Sequence, residues 1–205
     1  MIRNFDDLLA YTGTLAAASP EIAAETRIVR PGCAPHVIAA LERALPGLPE
    51  SYLSVLASLA IDGIVIGYFE LTPSSALARN LVDKLQMFND PDQAPMARYY
   101  RRYEVYHVAS WEADPVCVAH ADGTFRLGQI VKFNEADPTT PPILLADGFE
   151  EFLLVAANLD EIRALHVNRP ARAADEFKAY LAPLVAHRQD DMLSAWIKIA
   201  SVVLA

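Results

Sequence analysis

Two histidines fall in neighbouring strand-like segments and are the side chains best placed for acid–base chemistry. His107 lies within YYRRYEVYHVASW, and His120 ends PVCVAH. With Asp114 or Asp122 they could form an acid–base pair, because histidine titrates near neutral pH. No Gly-x-Ser-x-Gly elbow supplies a nucleophile, and a histidine in a strand is more often structural. An enzyme using His107 or His120 is therefore the third-ranked hypothesis, and no catalytic residue is predicted.

Two further motifs resemble ligand sites but are incomplete. Gly123 and Gly128 have the spacing of a phosphate loop, yet Gln and Ile replace the Lys and Ser or Thr that such a loop needs. Cys117 and His120 lie close together, but zinc takes three or four protein ligands, and residues three apart on a strand point to opposite faces. The sequence therefore predicts no metal and no cofactor.

Basic and aromatic side chains are interleaved in RYYRRY, residues 98–103. Single-stranded nucleic acid uses this arrangement for stacking and phosphate contacts. The formal charge of −9, from 17 basic and 26 acidic residues, opposes a polyanion. On a strand, Tyr99, Arg101 and Tyr103 would share one face, which favours sheet packing or a protein interface. We expect a protein partner and no nucleic acid.

Acidic residues gather where the predicted meander turns. Antiparallel connections alternate between the two ends of a sheet, so the turn 112–114 and the loop 134–140 should share an end. A tryptophan with an acidic rim suits a basic protein, and solvated loop acids are the alternative. The predicted rim and anchor are Trp111, Glu112, Asp114, Glu135 and Asp137, with Tyr99 and Tyr103 as further binding residues.

Apolar periodicity predicts most of the chain as helices. Asn4 is a suitable cap for a helix over residues 3–18, and two more helices should begin at Pro35 and Pro49. In the last helical region before the C-terminal segment, Pro183 is expected to cause a kink or break. The remaining helices are predicted over residues 74–88, from Phe149, after Pro170 and over residues 192–205.

The strand predictions concern the middle of the chain. IVIGYFEL is a continuous apolar run, typical of a central strand covered on both faces. Three short runs follow, YYRRYEVYHVASW, PVCVAH and TFRLGQIVKF, with Gly128 as a bulge in the last. Together they predict a single α+β domain over residues 1–205, with a mainly antiparallel or mixed sheet of about four to six strands.

The order of several short motifs resembles the SUKH superfamily, which includes yeast cell-wall regulators and bacterial toxin-immunity proteins. The motifs are Leu48-Pro49-x-x-Tyr52-x-x-x-Leu56, Asp62-Gly63, Trp111, Asp122-Gly123 and Phe149-Glu150-Glu151-Phe152-Leu153. The resemblance covers residues 35–160, leaving 1–34 and 165–205 as N- and C-terminal helical extensions. Thr124 departs from it, because family members often carry an acidic residue there. The resemblance implies an α+β fold, no catalytic residue and, in bacteria, neutralisation of a toxin by stoichiometric binding.

Three functions follow in order of preference. The first is an immunity protein bound to a basic toxin domain. The second is a regulatory or scaffolding protein of the same fold, with an apolar C-terminal helix that forms a homodimer or docks a partner, and the third is the small enzyme. Asp6 and Asp7 precede the first apolar stretch where a secretory signal would be basic, so we expect a cytoplasmic protein. The apolar run 192–205 would span only about 21 Å as a helix and contains Lys198, whereas a bilayer core is roughly 30 Å thick, so no membrane anchor is predicted.

Overall fold

A computed structural model describes residues 1–186 and 190–204. Its fold is α+β and forms one compact domain, as predicted, with six strands in a single antiparallel sheet. The helices in the described residues are α1 (Phe5–Ala18), α2 (Ala23–Thr26), α3 (Pro35–Ala44), α4 (Glu50–Ser58), α5 (Leu81–Asn89), α6 (Ala97–Arg102), α7 (Phe149–Leu165), α8 (Pro170–Val185) and α9 (Asp190–Val203).

Each strand pairs with the next strand along the chain, so the sheet is a simple meander. The strands are β1 (Val65–Ile66), β2 (Phe69–Glu70), β3 (Val105–Trp111), β4 (Asp114–Ala119), β5 (Ile130–Lys132) and β6 (Ile143–Ala146). Because all neighbours are antiparallel, the β1–β2, β3–β4 and β5–β6 connections emerge at one end of the sheet. The predicted clustering of the turn 112–114 and the loop 134–140 is confirmed.

Apolar side chains cover both faces of the sheet. The larger core lies on one face and includes Phe152 of α7 and Trp196 of α9. A smaller cluster on the other face contains Tyr100, Cys117 and Phe133. Alternate residues of β5 divide between the two clusters, because successive strand side chains point to opposite faces.

Residues 98–103 are not a strand, contrary to the prediction from their aromatic content. They belong mostly to α6, and β3 begins only at Val105. Tyr100 is buried in the smaller cluster, while Arg98, Arg101 and Arg102 are exposed. A helix permits this division because residues spaced by three or four lie on the same side.

The run IVIGYFEL is not a single central strand. It forms a hairpin at the edge of the sheet, in which Gly67 and Tyr68 are the two turn residues between Ile66 and Phe69. Gly67 has φ +61°, a conformation that glycine adopts without steric cost. The tight turn reverses the chain, so the residues predicted as one strand are divided between β1 and β2.

Three boundaries also differ from the predictions. The helix expected over 74–88 begins at Leu81, where the Asn80 side chain accepts the Asp83 N–H, and Leu77 is 86% exposed. The strand expected over 124–133 is confined to β5. The predicted bulge at Gly128 is confirmed: Gly128 has φ +88°, its N–H donates to the Ala119 carbonyl at 2.9 Å, and the Ala119 N–H donates to the Gln129 carbonyl at 2.9 Å, so two residues oppose one. Residues 143–146, not predicted as a strand, form β6.

Both terminal helical segments are packed into the domain. The Asn4 cap of α1 is confirmed, and the Asn158 side chain of α7 accepts the Ile2 N–H at 2.8 Å. α8 continues through Pro183 without a break. In α9 the Trp196 Nε1–H donates to the Leu145 carbonyl at 2.7 Å. Val202 of α9 is exposed and lies outside the core. A homodimer through α9 stays a prediction.

Candidate protein-interaction site

Three connections of the meander meet at one end of the sheet. The Glu112 N–H in the β3–β4 turn donates to the Tyr68 carbonyl of the β1–β2 turn at 3.3 Å. The Glu135 N–H in the β5–β6 loop donates to Asp114 Oδ1 at 2.9 Å. These bonds join the turns into one surface. We name it the acidic loop end and define it as Tyr68, Trp111, Glu112, Asp114, Glu135 and Asp137.

Trp111 and Asp114 are bridged by a lysine that the sequence analysis did not consider. The Lys132 ammonium forms an ion pair with Asp114 and lies 4.8 Å from the centre of the Trp111 ring. Lys132 is nearly buried, so this charge is satisfied within the site by a carboxylate and an aromatic face. Asp114 therefore organises the site and is not one of its free negative charges.

The remaining three carboxylates supply the surface charge. Glu112, Glu135 and Asp137 are exposed, and none forms an ion pair in the part of the chain that the structure describes. Hydrogen bonds from Thr139 and Thr140 lower the pKa of the Asp137 carboxyl group and fix its position. Three adjacent negative charges attract a cationic surface and repel phosphates.

Tyr68 was missed as a site residue because its run was interpreted as a buried strand. Tyr68 is 41% exposed at the turn. The Arg163 guanidinium lies over the Tyr68 ring, 5.8 Å from the ring centre. Arg163 forms an ion pair with Asp160 Oδ1. The other carboxylate oxygen of Asp160 accepts a hydrogen bond from the Tyr11 hydroxyl at 2.8 Å. Burial, reinforced by Asp160, raises the pKa of Tyr11. This network holds Arg163 against the Tyr68 ring. Gly67 was the sequence signal for the turn.

Tyr99 and Tyr103 do not belong to the acidic loop end. α6 precedes the start of β3, whereas Trp111 ends this strand. Both tyrosines are half-buried, and Tyr103 packs 5.7 Å from Phe133 in the smaller cluster. Their role as binding residues stays a prediction.

The two candidate acid–base histidines occupy opposite faces of the sheet. His107 lies between the aromatic rings of Phe88 and Tyr100, and burial lowers its pKa to about 4. His120 stacks on Tyr106 at 4.1 Å, and partial burial lowers its pKa. Since Tyr106 and His107 are successive strand residues, their side chains point away from each other. The structure does not bring the histidines together.

Two clefts lie away from the acidic loop end. One, of about 740 Å³, lies between β6 and α9 and includes Arg126 and Lys198 in its lining. The other, of about 770 Å³, lies among α1, α4, α7 and α8 and is more apolar, with Phe5 and Leu184 in its wall. No group of three or more metal-ligating side chains occurs in the described residues. Nor does any described helix have the length and apolarity to cross a bilayer.

Comparisons of the chain with protein-family models, with curated proteins and with solved structures give no match.

Proposed function

We propose that this protein is a cytoplasmic protein-binding module that docks a basic partner on the acidic loop end. The main support for this proposal is that three turns join into one surface, on which Tyr68 and Trp111 lie among three exposed carboxylates that form no ion pair with any described residue. Tyrosine and tryptophan supply much of the binding energy in protein interfaces, and peripheral charges mainly set the association rate.

The resemblance to the SUKH superfamily favours an immunity protein that neutralises a toxin by stoichiometric binding. Two of its motif residues, Tyr52 and Phe149, form an edge-to-face pair in the core with ring centres 4.8 Å apart. Such residues support the fold, whereas Trp111 lies at the proposed surface. The toxin as the class of partner is therefore inferred from the resemblance, and the acidic loop end is the surface that we propose it contacts.

Affinity capture from the native host tests this proposal with three forms of the full chain. They are wild type, the loop variant E112K/E135K/D137K and the control variant E21K/E25K/D175K. The control replaces three exposed acids elsewhere and changes the charge equally. We expect wild type and control to retain one basic protein that the loop variant loses. Retention by all three forms, or loss from both variants, would contradict docking at this surface.

A regulatory or scaffolding protein of the same fold is the second candidate. Its expected contact is the C-terminal helix, α9, through which it would dimerise or dock. The identity of a captured partner distinguishes the two functions. A toxin domain, whose activity falls as this protein approaches a one-to-one ratio, supports immunity. A partner without toxic activity supports regulation.

A further inference from the structure

The side of α6 that faces solvent carries three arginines. Arg98, Arg101 and Arg102 are exposed and spaced by three and four residues, so their side chains leave the same side of the helix. Among the residues that the structure describes, none of the three forms an ion pair. We define these three side chains as the arginine face.

Like charges at this spacing repel each other and weaken a helix slightly. An anionic partner would remove that repulsion, and guanidinium groups are well suited to pair with carboxylates. The arginine face is therefore a candidate binding surface for anions.

The aromatic residues of the same segment do not support nucleic-acid binding. Base stacking requires exposed rings, but Tyr100 is only 2% exposed and packs 5.3 Å from Phe133. Tyr99 and Tyr103 are half-buried, and Tyr103 belongs to the same cluster. The segment consequently offers charge without a stacking platform, and α6 is only six residues long.

The arginine face and the acidic loop end are separate surfaces. α6 packs on the face of the sheet that carries Phe133, and β3 follows it from Val105 to Trp111, where the acidic turns begin. Each surface carries three exposed charges without an ion pair among the described residues, and the signs are opposite.

We infer that the arginine face of one molecule binds the acidic loop end of a second copy, giving head-to-tail self-association. A contact between two different surfaces is heterologous, so it can continue into short chains or close into a ring. The contact rests on charge and should be weak and sensitive to salt, because exposed ion pairs contribute little individually. It would also cover the acidic loop end, so self-association and binding of a basic partner would compete. The inference does not depend on the identity of that partner.

Analytical ultracentrifugation of the full chain tests the inference. At about 0.01 M salt the screening length is about 30 Å, against about 3 Å at 1 M. We expect the average mass of the wild type to rise with protein concentration at low salt and not at high salt. A wild type that stays monomeric throughout the concentration series at low salt would overturn the inference.

Charge exchange then locates the contact. R98E/R101E/R102E makes both surfaces acidic, and E112K/E135K/D137K makes both basic. Each variant alone should associate at least about ten-fold more weakly than wild type, because three ion pairs become repulsive. An equimolar mixture should associate again. Both variants remain net negative, since three acid-to-lysine changes add only six charges to −9, so overall attraction does not explain recovery.

The matched control is R169E/R172E/K178E, which reverses three exposed cations on or beside α8. It should associate like wild type. Equal loss in the control, or a mixture that fails to recover, would overturn the inference. Circular dichroism checks that each reversed variant is folded. If R98E/R101E/R102E is not folded, R98Q/R101Q/R102Q replaces it. We then expect self-association to weaken in part, and unchanged self-association would contradict the assignment.

Discussion

His107 is held in its neutral form by its surroundings. It is 5% exposed, its Nε2 lies 3.1 Å from the Ser110 hydroxyl, and Phe88 and Tyr100 pack against the ring. The Asn89 side chain bonds both the N–H and the carbonyl of His107, which fixes the backbone at this point of β3. Burial lowers the pKa of His107 from 6.5 to about 4, so a proton is taken up more readily by the unfolded chain.

This difference predicts that acid destabilises the protein through His107. Between pH 6.5 and about 4 the unfolded chain binds a proton that the folded chain does not, so the free energy of unfolding falls as the pH is lowered. The full effect is about 3 kcal/mol. Urea unfolding from pH 7 to pH 4 measures this pH dependence. The free energy of unfolding of H107F should fall less over this range than that of wild type, whereas H36Q, which changes an exposed histidine, should show the same fall as wild type. Parallel curves for wild type and H107F would contradict the prediction.

The sequence analysis placed the acidic residues and Trp111 at one end of the sheet, but it did not include Tyr68 or Lys132. Asp114 and Lys132 are 18 residues apart in sequence, and their ion pair exists because β4 and β5 are neighbours. Local spacing cannot reveal such a pair. The exposed turn position of Tyr68 could have been predicted from Gly67, since a glycine within an apolar run often marks a reversal.

α9 is the element that closes the larger core. Trp196 is fully buried and packs against Phe69, Phe152 and Phe177, with ring centres 5.7–6.3 Å away. Its Nε1–H also satisfies the carbonyl of Leu145 on the edge strand β6. Because an exposed strand edge invites pairing with other chains, this contact both stabilises the domain and protects the edge.

Substitution of Trp196 should therefore destabilise the whole domain. We expect W196A to lower the free energy of unfolding by about 3–5 kcal/mol, because it leaves a cavity. W196F should cost about 1–3 kcal/mol by leaving the Leu145 carbonyl without its donor. V202A changes a half-exposed residue of the same helix and should stay within about 0.5 kcal/mol of wild type. Urea unfolding measures all three, and similar losses for W196A and V202A would refute this role of Trp196.

The elements that the sequence predicted poorly are those in which aromatic content and periodicity disagree. RYYRRY is rich in strand-favouring tyrosines, yet its arginines are spaced for one side of a helix, and the structure follows this spacing. α1, α3, α4 and α7 were predicted well because caps, prolines and apolar stripes agree there. The type and boundaries of the other elements depend on tertiary packing.

Charge is distributed unevenly over the surface of the molecule. The acidic loop end gathers the connections that follow β1, β3 and β5, the arginine face lies on α6, and the net charge is −9. The α+β class and single domain followed from the sequence pattern, but the meeting of the three connections required the strand order. A surface made of three turns depends on topology and has no local motif.

Stopped-flow measurement of the captured partner's association rate at several salt concentrations tests whether it docks on the acidic loop end. Docking on the acidic loop end predicts that E112K/E135K/D137K lowers the association rate constant at least about ten-fold at low salt. The difference should shrink as salt screens the charges, and E21K/E25K/D175K should match wild type. An unchanged association rate for the loop variant at low salt would contradict the claim.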